Sequence, residues 1–213
     1  MKGEDFLFEI VKKIIENVLM TLYQTFGFSL ILAILFMFLY MYAKENNWKT
    51  LVKNWVENFK SNSKFRYVFF FALYTSMLLF KTLLNRTIWI NPITNVFGIW
   101  GLYNEKGEFT SESIENLMLF VPFTIFLLIG FKDKILGQTV KFIKVIWQSV
   151  KIVFLFSLSI EFLQLFWRLG TFQISDLFYN TLGGGLGGIV FWFGYKMLRR
   201  KKLKECRKQK GVV

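Results

Sequence analysis

Among its 213 residues the chain has no histidine, one cysteine and two prolines. Without histidine there is no Ser–His or Cys–His nucleophile pair, and the commonest metal ligand and general base is missing. A lone Cys206 excludes an intrachain disulfide. No HExxH, CxxC or DxxD spacing occurs, so the sequence predicts no cofactor and no bound metal. Acidic residues are also scarce: 14 Asp and Glu stand against 27 Lys and Arg, a net charge of +13. The opening Lys2-Gly3-Glu4-Asp5 lacks a basic leader and a clear small-residue cleavage site, so the first apolar run is read as retained.

What is abundant is apolar surface. Hydrophobic residues make up 54% of the chain and aromatics 20%, including 27 Phe. A soluble domain of this length does not carry so many apolar runs. Stretches such as 30–42, without a charge, fit helices rather than the short alternating strands of a membrane barrel. The predicted fold class is an all-α membrane protein with about five transmembrane helices. These fall at 22–42, 67–84, 116–131, a fourth ending near Trp167 that begins between residues 141 and 152, and 177–198. The third is short against the usual ~20 residues, and Pro122 inside it predicts a bend or a partly buried helix. Residues 6–20 pair apolar and polar positions as an amphipathic helix, which either lies on the membrane surface or extends the first span. Trp48, Leu51, Val52, Trp55, Val56 and Phe59 form an apolar stripe among lysines, read as a second interfacial helix. A small hairpin or ordered loop is expected near 96–110, with Thr110 or Ser111 capping the next helix.

The basic residues explain orientation better than they explain nucleic acid, and no nucleic-acid partner is predicted. Residues 43–66 hold six Lys and Arg, 132–151 hold five and the tail 199–213 holds eight, whereas 85–116 holds two. This alternation predicts an N-terminus outside, a C-terminus in the cytoplasm, and contact of the tail with anionic membrane lipid.

The strongest functional lead lies within 152–190, where Glu161, Gln164, Arg168, Asp176 and Asn180 interrupt or border two apolar segments. The carboxylates and the guanidinium among them cost ~2.5–3.5 kcal/mol each inside a bilayer on insertion scales, so such groups persist where they pair or face a polar cavity. Glu161, Gln164 and Arg168 share one helix face, and Asp176 and Asn180 another. Arg86, Glu115 and Asn116 fall at the same outer end, and Gln164 and Glu161 lie roughly 5–10 Å below it at ~1.5 Å per residue. Arg168 is expected to pair with Asp176 or Glu161. The cluster is either a structural clamp or a site open to the outer face. Two carboxylates at 161 and 176 suit acid–base work, or a divalent cation together with Glu115. The glycines at 183, 184, 187 and 188 have the spacing of close helix packing rather than of a phosphate loop.

Three stretches, LLNRTIWINPITNVFGIWG (83–101), ENLMLFVPF (115–123) and SIEFLQLFWRLGTFQISDLFYNTLGGGLGG (159–188), resemble the VanZ-like family of bacterial membrane proteins. The resemblance covers roughly 80–195 and leaves out the helix at 22–42, the N-terminal stripe and the basic tail. Thr124 stands where the family often has glycine. The chain then divides into an N-terminal part (1–66), a VanZ-like membrane domain (67–198) and a basic tail (199–213). The resemblance implies a plasma-membrane protein connected with reduced susceptibility to teicoplanin, a lipid-tailed glycopeptide. It implies site positions at Arg86, Asn91, Glu115, Asn116, Glu161, Gln164, Arg168, Asp176 and Asn180. The expected ligand is a membrane amphiphile: lipid, lipoglycopeptide or lipid-linked cell-wall precursor. A membrane enzyme acting on a lipid head group is the alternative. A transporter is less supported, because five spans without internal repeats lack the symmetry of transporter folds.

Overall fold

A computed structural model describes residues 3–42, 47–84, 88–104 and 106–210. Among these residues there are six α-helices and one π-helical turn, and no β-strand forms. The first helix, α1 (Gly3–Tyr42), runs 40 residues without interruption. At ~1.5 Å per residue it is ~60 Å long, about twice the ~30 Å hydrocarbon core of a bilayer. The amphipathic stripe near the N-terminus is therefore an extension of the first span and not a separate surface helix. Its inner face is narrow: Ile14, Val18, Thr25, Ser29, Ala33, Met37 and Met41 are buried, while Leu19, Tyr23, Ile31, Leu35 and Leu39 are exposed.

Helix α2 (Trp48–Ser61) divides its apolar stripe in two. Leu51 is fully buried, and Trp55 stacks on Phe38 and Phe59 and meets Phe65 and Phe69 edge-on. Trp48, Val52 and Val56 stay exposed on the other side. Asn62 joins α2 to α3 (Ser63–Leu79): its backbone N–H closes α2 on the Asn58 carbonyl at 2.8 Å, and its side chain accepts from the N–H groups of Lys64 and Phe65. This cap starts α3 four residues before the apolar run that begins at Tyr67. The helix then widens into a π turn, Phe80–Leu84.

Helix α4 (Glu112–Leu136) is 25 residues long, so the short third span predicted from its apolar core gains a polar first turn and a C-terminal extension. The backbone is broken at Phe131 (φ −122°, ψ 21°), not at Pro122. One turn from the proline, the Leu119 carbonyl takes a 2.8 Å hydrogen bond from the Tyr74 hydroxyl, so neighbouring helices help satisfy the backbone there. Ser111 is the N-cap without a side-chain cap bond; Thr110 Oγ1 accepts from the Glu112 N–H at 3.4 Å. Helix α5 (Phe142–Trp167) begins inside the expected window, and Lys144 Nζ donates to the last-turn carbonyl of Leu136 at 2.6 Å.

Helix α6 (Ile174–Lys210) runs 37 residues and takes in the basic tail as far as Lys210. Four stretches, Phe8–Met41, Ser63–Leu84, Glu112–Leu136 and Phe142–Trp167, are long and apolar enough to cross a membrane. The segment 177–198 of α6 is not among them, because Asn180, Thr181 and the glycines of 183–188 dilute its apolar character. Those glycines place α6 between two neighbours. A Cβ at Gly183 would lie 2.2 Å from the Leu117 carbonyl oxygen of α4, and one at Gly187 would lie 2.6 Å from that of Val121. On the other face, Gly184 and Gly188 meet Val153 and Ser149 of α5 just as closely. The close-packing reading of the glycine run therefore holds. Beside it, Leu78, Leu119, Phe120, Phe123, Val153 and Ile160 form the main core.

Candidate functional site

Every described residue of the sequence-predicted site falls at one end of the bundle, the end that carries loop 88–111. Two loops are stitched together there. The Trp89 N–H donates to the Arg168 carbonyl (2.8 Å), Phe172 to Pro92 (3.0 Å), Ile174 to Val96 (2.8 Å) and Ser175 to Phe97 (3.3 Å). Gly98 makes this approach possible: at φ +70° its Cβ would collide with the Ser175 hydroxyl. Tyr179 accepts from the Gly101 N–H at 3.1 Å, and Ser113 donates to the Ile99 carbonyl at 2.8 Å. Of the expected hairpin or ordered loop, the described residues form an ordered loop with one isolated antiparallel bridge, Tyr103–Phe109, beside which the Thr110 N–H donates to the Leu102 carbonyl at 2.9 Å. Ser113→Ala is expected to cost ~1 kcal/mol, read as a lowered melting temperature of the purified protein with unchanged helix content.

Beneath the stitched loops lies the buried polar cluster. Asn116 Nδ2 donates to Asp176 Oδ1 at 2.9 Å, joining α4 to α6. Glu161 is only 2% exposed, and its carboxylate accepts from the Gln173 N–H at 2.9 Å. Gln164 Nε2 donates to the Thr82 carbonyl in the π turn at 2.7 Å. Asn180 Nδ2 donates to Ser157 Oγ at 2.9 Å, and its Oδ1 is buried without a partner among the described residues. Asp176 stands in the first turn of α6, where the helix dipole favours a negative charge. The seam continues down α6, since Asn180, Gly184 and Gly188 face Ser157, Val153 and Ser149 of α5 at successive turns.

The remaining predicted positions stand apart. Arg168 is exposed and ends α5 in the left-handed conformation (φ 56°, ψ 34°). Among the described residues no ion pair joins it to Glu161 or Asp176, because the chain turns away at this residue while both carboxylates lie inside. Asn91 is exposed, with its side chain 3.4 Å from the Ile93 N–H in a local turn. Arg86 lies outside the described residues.

Glu115 belongs to a neighbouring group. Its Oε1 accepts from Asn17 Nδ2 (2.9 Å) and the Ser111 hydroxyl, and Lys81 Nζ is 3.6 Å from its Oε2. The divalent-cation arrangement of Glu115 with Glu161 and Asp176 is not formed: among the described residues no three Asp, Glu or Cys gather as a metal-ligand set. A cavity of about 460 Å³ opens beside Glu115, between α1, the π turn and α4, and Asn116 lines it too. Asn17, Lys81, Thr82, Ser157 and Gln173 were not among the predicted site residues. Asn17, Thr21, Thr25 and Ser29 repeat every fourth residue on α1, and Ser157 stands one turn before Glu161, so a helical register could have singled out both sets.

The arrangement is chemically sparse. Among the described residues it offers two buried carboxylates, three buried amides and several hydroxyls, suited to hydrogen bonding and to holding or moving a proton, and no preformed nucleophile pair.

The VanZ/LLP1 family profile matches residues 4–196. The shared region thus reaches back through the first helix, which the sequence resemblance had left out. The chain is also similar to Protein VanZ of Enterococcus faecium, at 33% identity over 101 residues, 47% of this chain. That match spans 56% of the relative's own length. No solved structure matches. With membrane-length apolar helices and a family match over nearly all of its length, this chain is a membrane protein that belongs to the VanZ/LLP1 family.

Proposed function

We propose that the protein lowers bacterial susceptibility to lipid-tailed glycopeptides of the teicoplanin kind by binding an amphiphile at the outer leaflet of the plasma membrane. In this reading the N-terminus and loop 88–111 face outward, and the α2 segment, the α4–α5 loop and the tail face the cytoplasm. The observation that carries it is the segregation of groups along the bundle. The buried polar cluster and its cavity occupy one end, and the lysine-rich segments occupy the other. A polar recess beside lipid-facing aromatic helices suits a ligand with a polar head and an acyl tail. Susceptibility of a sensitive host expressing the full chain is the test. We expect a severalfold rise in the inhibitory concentration of teicoplanin and little change for vancomycin, which lacks the tail. Equal shifts for both drugs, or no shift, would sink the reading.

A second reading, a membrane enzyme acting on a lipid head group, is favoured by the burial of Glu161 and Asp176, since ionisable groups held away from water are candidates for acid–base work. It predicts that Glu161→Gln or Asp176→Asn alters the envelope lipid masses. Unchanged lipids in both variants would remove it.

A further inference from the structure

The cavity beside Glu115 carries charges of both signs. Lys13 comes from α1, Lys81 from the π turn, and Glu112 and Glu115 from the first turn of α4, with Thr21 and Gln24 as neutral hydrogen-bonding groups. Its volume of about 460 Å³ lies within the range of small-molecule pockets. Two of the four charges compensate each other, since Glu115 is held by Lys81, Asn17 and Ser111. Lys13 and Glu112 remain, opposite in sign and on different walls. Among the described residues neither makes an ion pair, and the Lys13 ammonium stands 5.3 Å from the centre of the Phe109 ring.

The mouth of the cavity borders the lipid-facing flank of α1. Gln24, one of its lining residues, is exposed, and its neighbours one turn away on each side are Met20 at 58% and Phe28 at 69% exposure. Phe28 meets Phe80 at 6.0 Å between ring centres, next to Lys81 in the chain. A head group in the cavity would therefore have an apolar track beside it.

We propose that this cavity binds the zwitterionic head group of a membrane amphiphile. The anionic group sits against Lys13 and the ammonium against Glu112, with the acyl tail along Met20, Phe28 and Phe80. The inference deepens the amphiphile-binding reading by naming the ligand's charge class. Asn116, at the floor of the cavity, links the ligand to Asp176 through its 2.9 Å hydrogen bond.

The test uses the purified full chain and native mass spectrometry. Phosphatidylethanolamine, phosphatidylglycerol and diacylglycerol with identical tails are supplied in turn, and soluble glycerophosphoethanolamine serves as a tail-free competitor. Phosphatidylethanolamine should be retained severalfold better than the other two lipids, and the soluble head should not displace it at equal concentration. Lys13→Gln and Glu112→Gln should each abolish the preference, and Lys13→Arg and Glu112→Asp should preserve it in monodisperse protein. Equal retention of the three lipids, preference for phosphatidylglycerol, an unchanged preference in both glutamine variants, or displacement by the soluble head would each overturn the proposal. Lipid selectivity without any effect on teicoplanin susceptibility would sink the antibiotic reading alone, and the converse result would sink the head-group assignment alone.

Discussion

Gly183→Leu is expected to abolish or severely weaken the folded bundle, by ~3 kcal/mol or more, the upper range for overpacking a close-packed site. The reason is what a side chain would meet. A Cβ at Gly183 would lie 2.2 Å from the Leu117 carbonyl oxygen and 3.2 Å from its Cα, so the obstruction is backbone of α4 rather than the end of a flexible side chain. Relief requires α6 to move away from α4, and that movement also pulls Asp176 from Asn116 and Gly187 from Val121. Gly194→Leu on the same helix is the control, because nothing lies within 4 Å of where its Cβ would stand, and it should melt close to the parent. Thermal unfolding of both variants in the same detergent, with elution profile as a second readout, decides the matter. A Gly183→Leu protein as stable as the control would mean that the glycine seam does not hold α6 in place.

The second large effect is expected at Asn116. Replacement by leucine removes the amide that donates to Asp176 Oδ1 in a buried setting, leaving an acceptor on a carboxylate without that donor. The cost should be ~2 kcal/mol, larger than for a neutral interhelical hydrogen bond because the acceptor is a carboxylate. Asp176→Asn retains an acceptor oxygen for the same amide and should melt nearer the parent, while it discards the charge. The expected order of melting is parent, then Asp176→Asn, then Asn116→Leu. The two variants also separate structure from function. If the carboxylate itself works on the ligand, Asp176→Asn loses the antibiotic phenotype while remaining folded. An Asn116→Leu protein that melts with the parent would show that the α4–α6 bond carries no weight.

Much of this architecture is legible in the chain. The apolar runs mark helices because a bilayer-length stretch without charge has no other stable use. Glu161 and Gln164 stand out as interior groups because such side chains in an apolar run need partners. The boundaries are less legible where capping rather than hydrophobicity decides them. Asn62 begins α3 before its apolar run, and the polar first turn of α4 lengthens a helix whose apolar core is short. Nothing in the residue order marks Phe131 as the non-helical position of α4, where Pro122 keeps helical backbone angles.

The amino-acid order by itself determined the class of protein, the end of the bundle at which polar groups collect, and the small-residue seam on α6. Each follows from local periodicity and from the cost of placing charge in an apolar run. Only the tertiary structure decided the partners. Asp176 takes the amide of Asn116, sixty residues away, Gln164 reaches the Thr82 carbonyl across a π turn, and Arg168 turns outward at a left-handed helix end. Glu115, in the first turn of α4, joins Asn17 and Lys81 instead of the other carboxylates. The physical reason is that helical register specifies which side chains share a face. Which face meets which is set by the closest approach of backbones, here of α6 to α4 and α5 through glycine.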